Sequence, residues 1–574
     1  MELEHPTMDA AADDDTAEAA DVLIIGAGAS GAAAAWRLSQ GGFRVVCLEQ
    51  GAWMNPSRYP TQERNWEVRA RQEWSGDPNV RRRRDDYPID SSGSPISPLM
   101  FNGVGGSTIH WTADAPRLHP SDFRVRTLDE AADDWPLTYE DLEPFYDQND
   151  GMMGCAGADG DPAYPSRSPR AMPPLPLGDD GTHLARAFDD LGWHWWPADS
   201  YINSVPHGGR DACNYCGPVG LGCTRRARSS TDLTYWPEAI RLGAVLRTRC
   251  RVSGITVDRH GRATGASYFD ADGRARHQPA RSVVLAANGL GTPRLLLASG
   301  SQAHPAGLLN STGLVGRNLM FHPSAVVTGF FPEFAETWRG PRTNILTSHE
   351  FYETDPRRDF VRGYSLRMTR GTGPFGTAFD DAHGPVAWGE GHHQEFAERF
   401  GHTVALVAIG EDLPEEHNRV TLDERLRDGS GIPAPTVTYT LSDNSRRMLD
   451  DAAHNARRVL EAAGATRILV NPLLHAGGSH LMGTARMGAD PERSVVNEWG
   501  QGRDADNVFI VDGSVFVTAG AVSPTPTIQA LALRTADYIV RERGDLKGGA
   551  RPAPENVSTS TGDHTVRCPY PTDS

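Results

Sequence analysis

Residues 21–51 read DVLIIGAGASGAAAAWRLSQGGFRVVCLEQG, and this stretch decides the fold. Asp21 leads four apolar residues suited to a short buried strand, Gly26 to Gly31 form a glycine turn, Ala32 to Gln40 a helix of small residues, and Phe43 to Leu48 a second buried strand. Together they predict a βαβ unit with Gly26, Gly28 and Gly31 in G-x-G-x-x-G spacing. Each residue has a physical task. Gly26 permits the tight turn, Gly28 lets a pyrophosphate approach the backbone at a helix N-terminus, Gly31 lets helix and strand pack closely, and Glu49 is placed to take a ribose hydroxyl pair. No second complete fingerprint occurs in the chain. One dinucleotide implies one redox cofactor, and a flavin can take electrons straight from a substrate, whereas a flavoprotein fed by NADH would normally need a second nucleotide site.

The rest of the composition excludes several classes. The chain has 574 residues, enough for two to four domains or two large interleaved ones. Asp and Glu outnumber Lys and Arg, 74 to 56, for a formal charge of −18, which argues against nucleic acid as a partner. Gly513 to Leu533 carries no charge and has the length of a membrane span, but its Gly, Ser, Thr and Pro content argues against one. Seven cysteines make no dense disulfide framework, and the acidic N-terminus lacks the basic-then-apolar pattern of a secretory signal, so a cytoplasmic location is expected. Ala244 to Val257, a strand up to Phe269, and Ser282 to Ala287, joined by polar turns, predict a β-meander. The proline-rich stretch from Cys155 to Asp180 predicts a long irregular loop, and the run Arg81 to Arg84 before Asp85 and Asp86 a solvated surface.

Two later stretches carry chemistry. Residues 101–123, FNGVGGSTIHWTADAPRLHPSDF, hold glycines at 103, 105 and 106 that let the chain lie flat against a ring system. Residues 477–488, GGSHLMGTARMG, set His480 in a glycine-bounded loop, and a strand ending in Asp512-Gly513 and a closing helix follow. With the N-terminal fingerprint, these motifs resemble the glucose-methanol-choline (GMC) family of FAD oxidoreductases over most of residues 20–542, closest to its pyranose oxidase and gluconate dehydrogenase-like branch. The resemblance implies an α/β (α+β) fold: a discontinuous Rossmann-like FAD-binding domain with a β-meander, plus a sheet-based substrate-binding domain. The expected division is a disordered acidic tail at 1–20, FAD-binding segments at 21–125, 210–324 and 471–544, a substrate or lid region at 126–209, a substrate-binding domain at 325–470, and a disordered tail at 545–574. No motif is legible between about 325 and 470.

The resemblance also assigns residues. Gly26, Gly28, Ala29, Ser30, Gly31 and Glu49 would hold the ADP part of FAD, with Val252 beside the adenine, Asp512 and Gly513 beside the pyrophosphate and ribityl chain, and Ala287 in the same set. Gly105, Gly106 and Ser107 would lie against the isoalloxazine. His110 matches a histidine that carries a covalent flavin in the pyranose oxidase branch; non-covalent FAD is the favoured alternative. His480 opens the HxxGTxRMG pattern and matches the family's active-site histidine, which would take the hydroxyl proton as hydride leaves the carbon for the flavin. The family usually pairs it with Asn or His one helix later, where this chain has Ser523. Cys213, Cys216 and Cys223, spaced C-x2-C-x6-C, are weak metal candidates lacking an obvious fourth ligand, and no metal is expected. The implied reaction is FAD-dependent oxidation of a CH–OH group, on a sugar, glycoside or other polyol or alcohol, with oxygen, a quinone or a partner protein as electron acceptor. A flavin-containing lyase of the same fold and a flavoprotein subunit of a larger dehydrogenase complex are the alternatives. Oligomeric state stays open.

Overall fold

The computed structural model describes residues 18–379 and 384–548, so most of each expected tail lies outside the described residues. The first strand, Ala20–Ile25, is buried at every position because it lies between Val45–Leu48 and the end of Ala275–Leu285, parallel to both. A strand covered on both faces has no solvent side, and hence the apolar run. The helix Ala29–Gln40 starts directly from the glycine turn. Gly26 sits at φ +102, and a Cβ there would come 2.5 Å from the Ala286 carbonyl oxygen; a Cβ on Gly31 would come 2.0 Å from the carbonyl oxygen of Gly26. Both positions therefore exclude any side chain.

The meander is present as Arg251–Val257, Ala263–Phe269 and Ala275–Leu285, in antiparallel order. Its third strand begins at Ala275, ahead of the expected Ser282, and serves two sheets: Ala275 to Pro279 close the meander, and Ala280 to Leu285 pair with Ala20–Ile25. Val508–Ile510, just before Asp512, joins the same strand in parallel. The single strand expected from Ala244 to Val257 is instead two. Val245–Arg247 pairs parallel with Val45–Leu48, and the chain then turns at Arg249, φ +57, so that the N–H groups of Arg249 and Cys250 donate to the Gly51 and Glu49 carbonyls. The helix Thr525–Glu542 covers this half and is tied to the first helix by Arg37–Asp537 at 2.7 Å.

The second half is a six-stranded antiparallel sheet in the order Arg467–Asn471, Ser324–Phe330, Thr403–Gly410, Tyr364–Arg370, Leu346–Ser348, Trp196–Pro197. The helix Asp443–Ala462 covers it with Met448, Leu449, Ala452, Ala456, Val459 and Leu460, one apolar face at helical spacing. The two halves meet at a buried arginine. Arg362 donates to Asp122 at 2.5 Å and Glu411 at 2.8 Å, and reaches Asp129 at 3.1 Å and Glu353 at 3.4 Å. Asp122 also accepts from the His119 N–H and the Tyr352 hydroxyl. Burial pushes Asp122 and Glu411 above the usual carboxylate range, and Arg362 pulls them back.

Cys155 to Leu177 is irregular as expected, tied by one bridge between Ala156 and Met172. The arginine run is not a solvated surface throughout. The Arg81 guanidinium is 0 % exposed, donating to Asp86 at 2.9 Å and to the Ser75 and Met100 carbonyls, which together satisfy a charge that burial would otherwise leave costly. Among the described residues, no helix is long and apolar enough to cross a membrane.

Candidate active site

A cavity of about 510 Å³ brings the motifs together. Gly26, Gly28, Ala29, Ser30 and Glu49 line it from the nucleotide unit, Gly106, Ser107 and His110 from the second glycine stretch, and Val252, Ala287, Asp512 and Gly513 from the later strands. His480 and Ser523 line the same cavity. Of the residues expected there, Gly31 and Gly105 do not face it: Gly31 packs on Gly26, and Gly105, at φ +98, donates its N–H to the Ala27 carbonyl at 2.9 Å. A Cβ on Gly106 would come 2.7 Å from the Gly28 Cα, so the two glycine stretches, far apart in sequence, form one smooth floor.

The polar atoms around that floor are held in advance. The Glu49 carboxylate accepts from the Ala27 and Gly51 N–H groups at 2.8 Å each, while burial raises its pKa to about 7. Asp512 accepts from Ser514 N–H at 2.9 Å and from the Thr292 hydroxyl at 2.5 Å, burial again working to raise its pKa. His110 is half-buried and packs against Phe101, ring centroids 4.5 Å apart, with Trp74 beyond at 5.8 Å. Its Nε2 is buried without a hydrogen-bond partner among the described residues, and burial with Arg81, Arg228 and Arg83 nearby keeps the ring neutral. An orphaned polar atom of this kind calls for a ligand.

His480 faces a second histidine, His322. Met320 and Met482 exchange backbone hydrogen bonds at 3.0 and 3.1 Å as an antiparallel bridge, and two steps along each strand that register sets residue 322 opposite 480. The Nδ1 atoms lie 2.7 Å apart, and His322 Nε2 lies 2.8 Å from the Gly520 carbonyl oxygen. These contacts fix both tautomers. A carbonyl only accepts, so His322 carries its proton on Nε2 and its Nδ1 is a bare acceptor. His480 must then donate from Nδ1, which leaves its Nε2 as a free lone pair. Burial lowers the His322 pKa to about 4, and burial, His322 and Arg367 hold His480 well below the usual imidazole value.

Ser523 is not a free hydroxyl. Arg367 Nη1 donates to its Oγ at 2.8 Å and to the Asp114 carboxylate, and Ser523 itself hydrogen-bonds Asp114. With its proton given to Asp114 and one lone pair taken by Arg367, the serine can only accept from a substrate hydroxyl. Asp114 lines the cavity too. His322, Asp114 and Arg367 escaped the sequence reading. Asp114 lay inside the quoted 101–123 stretch, whereas Arg367 sits in the stretch without motif and His322 is marked only by the register of its bridge. Cys213, Cys216 and Cys223 surround a separate small cavity. Burial pushes the Cys213 thiol up to about 11 and raises that of Cys216, and no group of three His, Cys, Asp or Glu among the described residues is arranged to hold a metal.

Comparison with known proteins identifies the family. Two regions described as GMC oxidoreductase match residues 184–324 and 414–532, and an NAD(P)-binding Rossmann-like domain matches residues 24–82. The chain is 44% identical to 2-methyl-1,2-propanediol dehydrogenase of Mycolicibacterium austroafricanum, over 92% of this chain and 97% of that one. The chain belongs to the GMC oxidoreductase family. It is also 30% identical to the fructose dehydrogenase large subunit of Gluconobacter japonicus, over 92% of this chain and 99% of the relative. The fold matches the crystal structure of pyridoxine 4-oxidase from Mesorbium loti with a TM-score of 0.61 at 19% identity, covering 90% and 98% of the two chains. This GMC oxidoreductase is an enzyme that oxidises a CH–OH group to a carbonyl with FAD, and the glycine floor, Glu49 and the unpartnered His110 nitrogen fit that cofactor.

Proposed function

We propose that His480 is the base of this GMC oxidoreductase, that Ser523 accepts from a substrate hydroxyl other than the one being oxidised, and that the substrate is a sugar, glycoside or other polyol. The observation that carries the reading is the Gly520–His322–His480 chain, which leaves a neutral Nε2 lone pair in the same cavity as the cofactor residues. An alkoxide is unstable near neutral pH, so the hydroxyl proton must leave to a base as the C–H bond breaks. His480 Nε2 takes that proton while Nδ1–H stays bonded to His322. FAD, when bound, supplies the two-electron acceptor for the hydride leaving the carbinol carbon. Gly26, Gly28, Ala29, Ser30, Glu49 and Val252 would hold its ADP part, Ala287, Asp512 and Gly513 its middle, and Gly106, Ser107 and His110 its ring. Gly31 and Gly105 shape the floor from behind. Oxygen, a quinone or a partner protein would then recover the electrons.

We hold the flavin to be non-covalent: His110 lines the cavity with an unpartnered Nε2, and a hydrogen bond to the cofactor would suffice to satisfy that atom. Acid precipitation should release the yellow colour into the supernatant, and a yellow pellet that His110→Ala turns colourless would refute this. His480→Ala should retain FAD while flavin reduction by substrate under anaerobic conditions slows by roughly 10²–10⁴, the usual worth of a positioned general base. Unchanged reduction would remove His480 from the chemistry, and lost FAD would make it structural.

A further inference from the structure

The Arg367–Asp114 pair transfers no proton in that mechanism, yet it is expensive to keep. Both side chains are nearly buried, 12% and 7% exposed, and a buried ion pair is often no more stable than apolar residues of the same volume. Arg367 Nη2 is moreover buried with no hydrogen-bond partner among the described residues, a further cost. The pair stands beside the base: Asp114 and Ser523 line the cavity with His480, and Arg367 is near enough to depress the proton affinity of both His480 and His322. Trp111, three residues before Asp114, lines the cavity as well.

We propose that Asp114, held in place by Arg367, forms a recognition site for a second, neighbouring hydroxyl of the substrate, so that the enzyme selects neutral vicinal diols and polyols over monohydric alcohols and hydroxy acids. This rests on the oxidation reading above. A second hydroxyl donates to the Asp114 carboxylate, which lines the cavity, while the reacting hydroxyl gives its single proton to His480 Nε2. A methyl in its place leaves the cavity-facing lone pairs of the Asp114 carboxylate desolvated and without a donor, the situation in which polar sites discriminate most strongly. A carboxylate in its place meets an arginine already neutralised by Asp114 and is repelled by that aspartate.

The test compares 1,2-propanediol, 1-propanol and lactate, which share a three-carbon frame. Anaerobic flavin reduction by the wild-type holoenzyme should favour the diol over 1-propanol by about 10²-fold in kcat/KM, with lactate no better than 1-propanol. Asp114→Asn should reduce that preference at least tenfold. The double variant Asp114→Leu/Arg367→Met, which replaces the pair by apolar groups and avoids stranding either charge, should fold, hold FAD and show almost no preference. Recognition is read separately from oxidation in His480→Ala holoenzyme, where binding is followed by flavin absorbance: the diol should bind at least tenfold more tightly than 1-propanol, and Asp114→Asn in that background should erase the difference. Equal binding of the two ligands there, or an undiminished diol preference in the double variant, would overturn the inference. A wild-type flavin that stays oxidised although the diol binds preferentially would instead overturn the oxidation reading and leave the recognition site standing.

Discussion

The nucleotide end and the substrate end of the cavity are built from different material. At the nucleotide end, backbone does the work: Gly26, Gly28, Gly31 and Gly106 clear space, and N–H groups of Ala27 and Gly51 hold Glu49. At the substrate end, side chains hold side chains across the junction of the two halves: His322 orients His480, and Arg367 orients Ser523 and Asp114. A backbone site tolerates no added atom but is indifferent to charge; a side-chain site has room to spare and depends on which nitrogen carries the proton. Substitutions at the two ends should accordingly fail in different ways.

The largest effect is expected at the nucleotide end. Gly31→Ala sets a Cβ 2.0 Å from the Gly26 carbonyl, so strand and helix must part; purified protein should lose most of its FAD by absorbance and unfold at lower temperature. Normal FAD content would show that the close packing is dispensable. Next comes His322→Leu, which strands the buried Nδ1–H of His480 and frees its tautomer. Flavin reduction should slow by about tenfold to a hundredfold with FAD retained, and His322→Gln, whose amide oxygen can still accept, should recover most of the rate. Equal losses in both variants would break the comparison, since the tautomer would then not matter.

The acid limb of the rate sharpens it further. A base works deprotonated, and the surroundings hold His480 well below the ordinary value of about 6.5, so the rate of reduction should stay level as pH falls through that value and decline only below it. A decline centred at or above 6.5 would mean the imidazole is not as desolvated as its burial implies. The smallest effect is expected from Ser523→Ala. The hydroxyl offers substrate one accepting lone pair, worth about 0.5–1.5 kcal/mol, so the rate should fall by about tenfold or less. A loss matching that of His480→Ala would make the serine indispensable.

The same contrast explains what could be read before the structure. The βαβ unit, the meander and the placement of Gly26, Gly28, Glu49, Asp512 and His480 were legible because each depends on local chemistry: a turn that admits only glycine, a strand that must be apolar, a motif of contiguous residues. His322 and Arg367 were not, because they act through partners 158 and 156 residues away. The split of Ala244 to Val257 into two strands depends on carbonyls of Glu49 and Gly51, which local periodicity does not report. The burial of Arg81 depends on acceptors at Ser75, Asp86 and Met100 that a charge count cannot see. The six-stranded sheet had no motif because it supplies position and shelter, which many apolar sequences provide equally well.

Arg362 bears on how a molecule reaches the cavity. To swing the two halves apart, it would have to give up its hydrogen bonds to Asp122 and Glu411. Gly520, whose carbonyl anchors His322, lies against Asp122 and the Tyr352 hydroxyl of the same cluster, so such a motion would also disturb the proton arrangement of the base. The junction between the halves is thereby held against separation, and the base keeps its proton arrangement only while that junction stays closed.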